Sequence, residues 1–225
     1  MSGLFRGSMK AVILSAGQGR RLLPYTASLP KCLVPIGGRP LLEWQLHSML
    51  GSGITEVVIV SGFMSQSVEA FAARQQLNGL GVRTVLNPFF AVSDNLASLY
   101  LAAGELRDGG VILNGDTLFE PAVLDKLMRE AHPPVSVAID RKPRYDDDDM
   151  KVRIDGLRLR AIGKTLDSTE TSGESIGMLR VTPGGAALMK SAMELVLRDT
   201  DGFRRWYLSA VDWLAKNDYG SVGAV

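Results

Sequence analysis

The sequence contains one cysteine, Cys32, and two histidines among 225 residues. A lone cysteine cannot form an intramolecular disulfide, and no apolar run reaches the roughly 18 residues of a membrane-spanning helix. Lysine and arginine nearly balance aspartate and glutamate at a net charge of +1, so no overall field favours nucleic acid or an anionic membrane. With no evident secretory leader, these absences predict a cytoplasmic protein that binds neither nucleic acid nor membrane.

The chain length fits a single domain with a full hydrophobic core. Residues 1–8 lack a periodic pattern, and we interpret them as a cloning remnant that precedes a domain at 9–225. Between residues 10 and 139, short β-rich runs alternate with longer helical patterns, which predicts βαβ units and a largely parallel sheet. The predicted strands are 10–14, 57–60, 82–86, 111–113 and 135–139, and the predicted helices are 41–50, 67–73, 95–106 and 121–131.

The pattern changes after residue 139. Segment 141–149 (RKPRYDDDD) predicts a charged, irregular connection. Two strand-like stretches flank Asp155-Gly156, a dipeptide typical of a β-hairpin turn. A polar loop, a strand at 176–181 and helices at 184–198 and 203–216 follow, and the final GSVGAV could begin another strand.

A glycine-rich loop, SAGQGRRL at 15–22, follows the first predicted strand. Ligands of open α/β sheets usually bind beyond the carboxyl ends of the strands, and Gly17 and Gly19 allow a backbone to approach phosphate closely. Leu22 replaces the third glycine of a dinucleotide-binding loop, and no Walker loop occurs. The cations of Arg20, Arg21 and the later Lys31 therefore favour a cleavable polyphosphate, and a glycine turn with solvated arginines is the alternative.

This loop, with Pro24, Thr26, Pro30-Lys31 and segment 33–41 (LVPIGGRPL), resembles the signature of the nucleotidyltransferases that activate sugar phosphates and phospho-alcohols. The resemblance implies an α/β fold with a single Rossmann-like domain of glycosyltransferase-A type. Its mixed, mostly parallel sheet is flanked by helices and carries a small β-hairpin insertion on the acceptor side. It also implies a nucleotide-binding half at 9–139 and an acceptor-binding half at 140–225.

The implied reaction is attack by a phosphate-monoester oxygen on the α-phosphorus of a nucleoside triphosphate, with release of pyrophosphate. A monoester has a second pKa of about 6, so its oxygen is ionised at neutral pH and no general base is needed. The resemblance assigns catalysis to Lys31 and Arg21 and Mg²⁺ binding to Asp116. Asp116 follows a buried-looking strand and Gly115, and a simple turn cap is the alternative role.

The remaining predicted site residues fall into two groups. The predicted nucleotide-binding residues are Ser15, Ala16, Gly17, Gln18, Gly19, Arg20, Gly62, Asp94, Asn95 and Ser98. The predicted acceptor-binding residues are Asp149, Lys151, Lys164 and Glu174. The family also uses a second metal-binding aspartate near its C-terminus, and this sequence reaches Val225 without an evident equivalent; either the chain is truncated or its metal site is incomplete.

Two further elements favour a phospho-alcohol over a sugar phosphate. Segment 94–100 (DNLASLY) resembles the N-N-x-x-S-L-Y element of bacterial phosphocholine cytidylyltransferases, with an ordinary helix N-cap as the alternative. Segment 145–151 (YDDDDMK) resembles an Asp-Met-Lys-Val element of the same branch. Its carboxylates either attract a cationic acceptor, such as phosphocholine or an aminoalkyl phosphonate, or form a solvated loop. Trp206 and Tyr207 are predicted to pack in the core.

The leading prediction is therefore a Mg²⁺-dependent enzyme that uses a nucleoside triphosphate, CTP by resemblance, and a phospho-alcohol or phosphonate. A sugar-1-phosphate nucleotidyltransferase that uses UTP, GTP or dTTP is the alternative within enzymes. A nucleotide-binding regulatory module without turnover is the alternative from another class. A redox protein on a Rossmann-like fold is disfavoured by Leu22.

Overall fold

The computed structural model describes residues 9–218 and 220–225. The interpretation of residues 1–8 as a cloning remnant lies outside these residues. The strands are β1 (Met9–Ser15), β2 (Pro35–Ile36), β3 (Arg39–Pro40), β4 (Ile54–Ser61), β5 (Gly81–Leu86), β6 (Gly110–Asn114), β7 (Val135–Asp140), β8 (Lys151–Asp155), β9 (Arg158–Gly163), β10 (Gly173–Val181) and β11 (Val222–Ala224). The α-helices are α1 (Leu41–Met49), α2 (Ser65–Ala73), α3 (Asn95–Leu101), α4 (Pro121–Glu130), α5 (Pro183–Leu197) and α6 (Leu208–Asn217).

Nine of the strands form one mixed sheet in the order β5-β4-β1-β6-β10-β7-β11-β9-β8. The first four run parallel, as the βαβ rhythm predicts. β10 is antiparallel to both β6 and β7, and β8 and β9 form the predicted hairpin around Asp155-Gly156. The predicted fold class, a mixed sheet flanked by helices with a small β-hairpin, is confirmed. The division into two halves stays a prediction. One sheet runs through both halves without interruption.

The parallel strands are buried on both faces, which explains their nearly continuous apolar sequences. Val12 of β1 packs in one core cluster with α3, α5 and α6, whereas Ile13 packs in a second cluster with α1, α2 and α4. Successive side chains of a strand point to opposite faces, so β1 alone joins the two clusters. The sheet is therefore a rigid support for the loops at its edges.

Two predicted helices are shorter than their sequence patterns. α3 ends at Leu101, and Ala103–Leu106 form a 3-10 turn, where Gly104 weakens the preference for an α-helix. α6 begins at Leu208 rather than near residue 203, because Gly202–Arg204 form another short 3-10 turn. Segment 203–207, which leads from this turn into α6, crosses the N-terminus of α3. β2 and β3, which pair only with each other, were not predicted.

The direction of the strands places several loops at one edge of the sheet. β1, β4 and β6 are parallel neighbours, so the residues that follow them meet beyond their carboxyl ends. β10 runs the other way and brings its first residues to the same edge. Across the described residues, no helix combines the length and apolar character needed to cross a membrane.

Candidate active site

A cleft of about 580 Å³ opens at this edge of the sheet. Most of the predicted site residues line it: Ser15, Ala16, Gly17, Gly19, Arg21, Lys31, Asp94, Asn95, Ser98, Asp116, Lys164 and Glu174. They come from both predicted halves, since Lys164 and Glu174 follow β9 and begin β10. The structure thus brings the predicted nucleotide and acceptor residues to one continuous cavity.

The other predicted site residues do not line the cleft: Gln18, Arg20, Gly62, Asp149 and Lys151. Gly62 lies behind the wall, where a Cβ atom would stand 2.5 Å from the Cβ of Phe90 and 2.7 Å from the carbonyl oxygen of Ala16. Lys151 is buried, and its Nζ donates a hydrogen bond of 2.8 Å to the carbonyl of Lys164. Gly62 and Lys151 therefore position lining residues rather than face the cavity.

The glycine-rich loop leaves β1 through a compact turn. Gly19 has a φ of 71°, which favours glycine, and its carbonyl accepts hydrogen bonds from the amide of Leu22 at 2.9 Å and from Oγ1 of Thr26 at 3.0 Å. A Cβ atom on Gly19 would lie 2.9 Å from the Cβ and Cδ atoms of Lys31. The bare glycine therefore lets the Lys31 side chain cross the loop toward β6.

Lys31 meets Asp116 at the end of its path. Its ammonium donates a hydrogen bond to Oδ2 of Asp116, the residue predicted to bind Mg²⁺. Both side chains are only partly buried, so solvent and ligands can reach the pair. Burial raises the pKa of the neighbouring Cys32 thiol to about 11, which keeps it protonated at neutral pH and unsuited to act as a nucleophile.

The residues around Asp116 fit a magnesium ion that is held partly by substrate. Mg²⁺ is usually bound by one or two carboxylates together with phosphate oxygens and water. Asn114, which also lines the cleft, has a buried Oδ1 atom without a hydrogen-bond partner among the described residues. The same residues contain no cluster of three or more histidine, cysteine, aspartate or glutamate side chains that could hold a metal unaided. A metal held by Asp116 would therefore need further ligands, such as phosphate oxygens and water.

Gly177 shapes the opposite wall of the cleft. It has a φ of 74°, and a Cβ atom there would lie 2.4 Å from Nδ2 of Asn114. The register between β10 and β7 shifts between Ser175 and Leu179, so β10 bends where it passes Asn114. This glycine allows β10 to lie against the end of β6 without displacing Asn114.

Asn87 is a lining residue that the sequence analysis missed. It is fully buried, and its Nδ2 donates hydrogen bonds to the hydroxyls of Ser98 at 3.0 Å and Ser93 at 3.2 Å. Its Oδ1 accepts from the amide of Phe89 at 2.8 Å. An asparagine before a proline at a strand end is typical of a turn, so only that turn signal marked the position.

The N-terminus of α3 is tied to segment 203–207. Asp94 stands at the N-cap position, as expected, and its side chain accepts from the amide of Asn95, the first helical residue, at 2.8 Å. The amide of Asp94 donates to the carbonyl of Phe203 at 2.8 Å, and Oδ1 of Asn95 accepts from the amide of Tyr207 at 2.8 Å. Desolvation raises the pKa of Asp94, against hydrogen bonds from Asn95 and from the side chain of Trp206.

Segment 203–207 carries two aromatic residues with different surroundings. Tyr207 is fully buried in the core, as predicted, and burial with the nearby charge of Asp116 raises the pKa of its hydroxyl. Trp206 instead lines the cleft, with 38% of its surface exposed. The Nζ atom of Lys164 lies 4.8 Å from the centre of the Trp206 ring.

Asp148 and Asp149 of the acidic segment 145–149 have different partners. Asp149 accepts hydrogen bonds from Nζ of Lys142 and from the amide of Asp146, both at 2.7 Å. Asp148 lines the cleft, where its Oδ1 lies 2.9 Å from Nζ of Lys164 and its Oδ2 lies 3.9 Å from Nη1 of Arg21. The carboxylate that faces the cavity is therefore the neighbour of the predicted Asp149.

Glu174 and Asp149 share one cation. Nζ of Lys142 lies 2.7 Å from Oδ1 of Asp149 and 3.1 Å from Oε1 of Glu174. The hydrogen bond from Lys142 is the largest cause that lowers the pKa of Asp149 to about 2, whereas burial raises the pKa of Glu174. Glu174 thus reaches the cleft with its charge partly compensated.

Comparison with known proteins identifies relatives of this chain. Residues 11–174 match the family of MobA-like NTP transferase domains. The chain is 39% identical over 119 residues to the CMP-5'-(3-aminopropyl)phosphonate synthase of Streptomyces rubellomurinus, an alignment that covers 53% of this chain and 19% of that protein. It is 35% identical over 124 residues to the choline-phosphate cytidylyltransferase of Streptococcus pneumoniae, covering 55% of this chain and 52% of that protein.

The chain therefore spans at most about half the length of these two relatives. The solved structure of the inositol-1-phosphate CTP transferase from T. maritima shares the fold, with a TM-score of 0.80 and 20% identity over 98% of this chain and 86% of that chain. The resemblance deduced from the glycine-rich loop and the proline-lysine pair is confirmed. The chain belongs to the family of MobA-like NTP transferase domains.

Proposed function

We propose that this protein transfers a nucleotidyl group from a nucleoside triphosphate to a phosphate or phosphonate monoester. An acceptor oxygen forms a bond to the α-phosphorus, the bond from that phosphorus to the β-phosphate bridge oxygen breaks, and pyrophosphate leaves with the electron pair. The observation that supports this most directly is the convergence of Arg21, Lys31 and Lys164 on one cleft beside Asp116. Three cations from separate loops suit two phosphorylated substrates that must meet.

Lys31 is the residue best placed to act on the reacting phosphate. It stands between the glycine-rich loop and Asp116, where its ammonium can stabilise negative charge that develops on the transferred group. Arg21 offers a planar fork to the polyphosphate from the same loop. A divalent cation bound by Asp116 would neutralise phosphate charge. Since the acceptor oxygen is already ionised, alignment and charge stabilisation supply the catalysis.

We further propose that the nucleotide is CTP and that the acceptor carries a positive charge, as phosphocholine and aminoalkyl phosphonates do. The names of the CMP-5'-(3-aminopropyl)phosphonate synthase and the choline-phosphate cytidylyltransferase indicate cytidylyl transfer. Asp148 and Glu174 give the acceptor side of the cleft an acidic wall. The roles of Asp94, Asn95 and Ser98 in nucleotide binding remain part of this proposal, and all three residues line the same cleft.

The test is pyrophosphate release with Mg²⁺ and each of CTP, UTP, GTP, ATP and dTTP. The acceptor panel contains phosphocholine, phosphoethanolamine, 2-aminoethylphosphonate, glycerol 3-phosphate and several sugar 1-phosphates. We expect turnover with CTP and the cationic acceptors. Turnover confined to sugar 1-phosphates would contradict the proposed acceptor class, and CTP binding without pyrophosphate release would indicate a regulatory module instead.

A further inference from the structure

The acceptor side of the cleft contains an ammonium-binding arrangement that a residue of the protein itself fills. The Nζ atom of Lys164 lies 2.9 Å from a carboxylate oxygen of Asp148 and 4.8 Å from the centre of the Trp206 ring. A carboxylate together with the face of an indole is a combination that attracts organic cations. Lys164 therefore shows where an ammonium group is stable in this cleft.

Among the described residues, the ion-pair partners of the Asp148 carboxylate are Lys164 and Arg21, side chains that a phosphate would attract. Besides Lys164, its side chain lies near Arg21 at 3.9 Å, and both cations line the cleft. Glu174, the other carboxylate of this wall, shares the ammonium of Lys142 with Asp149, and neither Lys142 nor Asp149 lines the cleft. A phosphorylated ligand that recruited Lys164 and Arg21 would thus leave Asp148 without a cation, whereas Asp149 and Glu174 would keep Lys142.

We propose that Asp148 and Trp206 form a binding site for the ammonium group of the acceptor, and that an acceptor with both a phosphate and an ammonium group enters by exchange of ion pairs. This inference rests on the proposed function for the phosphate part of the exchange. The ammonium of Lys164 moves from Asp148 to the acceptor phosphate, and the acceptor ammonium takes its place between Asp148 and Trp206. Two ion pairs replace one within the cleft, so no charge remains unpaired.

The carboxylate of Asp148 and the ring of Trp206 contribute differently to the binding of different cations. A primary ammonium donates N–H hydrogen bonds, which a carboxylate accepts strongly. A quaternary ammonium has no N–H group and depends more on the face of the ring. Loss of the Asp148 charge should therefore harm phosphoethanolamine more than phosphocholine, and loss of the Trp206 ring should harm phosphocholine more.

The first test measures cation binding and needs no turnover. Methylammonium and tetramethylammonium chloride are titrated by calorimetry into wild-type protein and into Lys164→Met. We expect roughly tenfold tighter binding to Lys164→Met, because the internal ammonium no longer competes, and loss of that gain when Asp148→Asn is added. Equal binding to wild type and Lys164→Met would overturn the proposal.

A measurement on wild-type protein tests the same exchange even if Lys164→Met does not fold. Inorganic phosphate should strengthen methylammonium binding to wild-type protein several-fold, since phosphate draws Lys164 away from Asp148. Asp147→Asn is the matched control, because Asp147 lies in the same segment, is exposed and does not line the cleft. An equal effect of phosphate on Asp148→Asn and on Asp147→Asn would contradict the exchange.

The second test uses the acceptor panel and separates the two proposals. Asp148→Asn should lower kcat/KM about tenfold for phosphoethanolamine and less than about threefold for glycerol 3-phosphate, and Trp206→Leu should lower it most for phosphocholine. Equal losses on charged and uncharged acceptors would overturn the ammonium site while leaving nucleotidyl transfer intact. Absence of turnover with every acceptor, together with the predicted cation binding, would instead refute the proposed function alone.

Discussion

Lys31 is the single side chain on which the proposed chemistry depends most. Replacing it as Lys31→Met should lower kcat about 10²- to 10³-fold, because a charge-stabilising donor next to the reacting phosphate is lost. Its pair with Asp116 is partly exposed and contributes little to folding, so the melting temperature should change by no more than a few degrees. Pyrophosphate release at saturating substrates measures the effect. Lys126→Met, on the exposed side of α4, is the control, and a loss below about threefold would reject the assignment.

Single residues were predictable where a regular element fixes them. Asp116 and the glycine-rich loop directly follow buried strands, so their place at the carboxyl edge could be deduced from the chain. Asp148 and Asp149 are adjacent in an irregular segment, where no periodicity states which carboxylate faces the cavity. Asn87 acts through hydrogen bonds to hydroxyls that come six and eleven residues later, and no local pattern encodes such contacts.

At the level of elements, the end of β4 supports the glycine-rich loop through Gly62, which lies against Ala16. Gly62→Ala would place a methyl group within 2.7 Å of the Ala16 carbonyl and 2.5 Å of Phe90. We expect a loss of about 1–3 kcal/mol in the free energy of unfolding and a higher KM for the nucleotide, because both neighbours must shift. Urea denaturation and steady-state kinetics measure these effects. Gly81→Ala, at the start of β5 with its nearest contact at 3.7 Å, is the control; equal behaviour of the two variants would contradict this role.

The connection between β7 and β8 is stabilised by charge in a pH-dependent way. The pKa of Asp149 is lowered to about 2, chiefly by the hydrogen bond from Lys142. Its contribution to stability is therefore fully present above its unfolded pKa of about 4 and is lost as the pH falls from about 4 toward 2. Urea denaturation between pH 2 and 6 should show a steeper loss of stability below pH 4 in wild type than in Asp149→Asn. Parallel pH profiles would contradict the assignment.

The elements themselves followed from the sequence to differing degrees. The parallel strands and the hairpin β8–β9 were predicted because apolar runs and an Asp-Gly turn are local signals. The short sheet of β2 and β3 was missed, since strands of two residues carry almost no pattern. The early end of α3 at a 3-10 turn that contains Gly104, and the late start of α6 after segment 203–207 has paired with the N-terminus of α3, are not revealed by the helical pattern.

For the whole molecule, the two predicted halves share one core. One hydrophobic cluster contains Val12, Val58 and Val137 of the first half together with Leu179 and Leu214 of the second half. We expect a single cooperative unfolding transition, because separating the halves would open this cluster.

The tryptophans allow this expectation to be measured. Trp44 lies in α1, and Trp206 and Trp213 lie in the second half, so fluorescence of Trp44→Phe and of the double variant Trp206→Phe/Trp213→Phe follows each half separately. Coincident urea midpoints, after correction for the stability of each variant by circular dichroism, are expected. Within one variant, a fluorescence midpoint that differs from the circular-dichroism midpoint would show that the halves unfold independently.

The pairing of β10 has a consequence for how new specificities arise. This strand is joined to β6 through Met178–Val181 and to β8 through Gly173 and Glu174, so one strand connects these two parts of the sheet. Segment 141–149 is inserted between β7 and β8 and takes no part in those pairings. Under the proposed function the molecule is modular in this sense: mutations in the insert would change acceptor preference, in evolution or by engineering, while the pairings of the sheet are inherited unchanged.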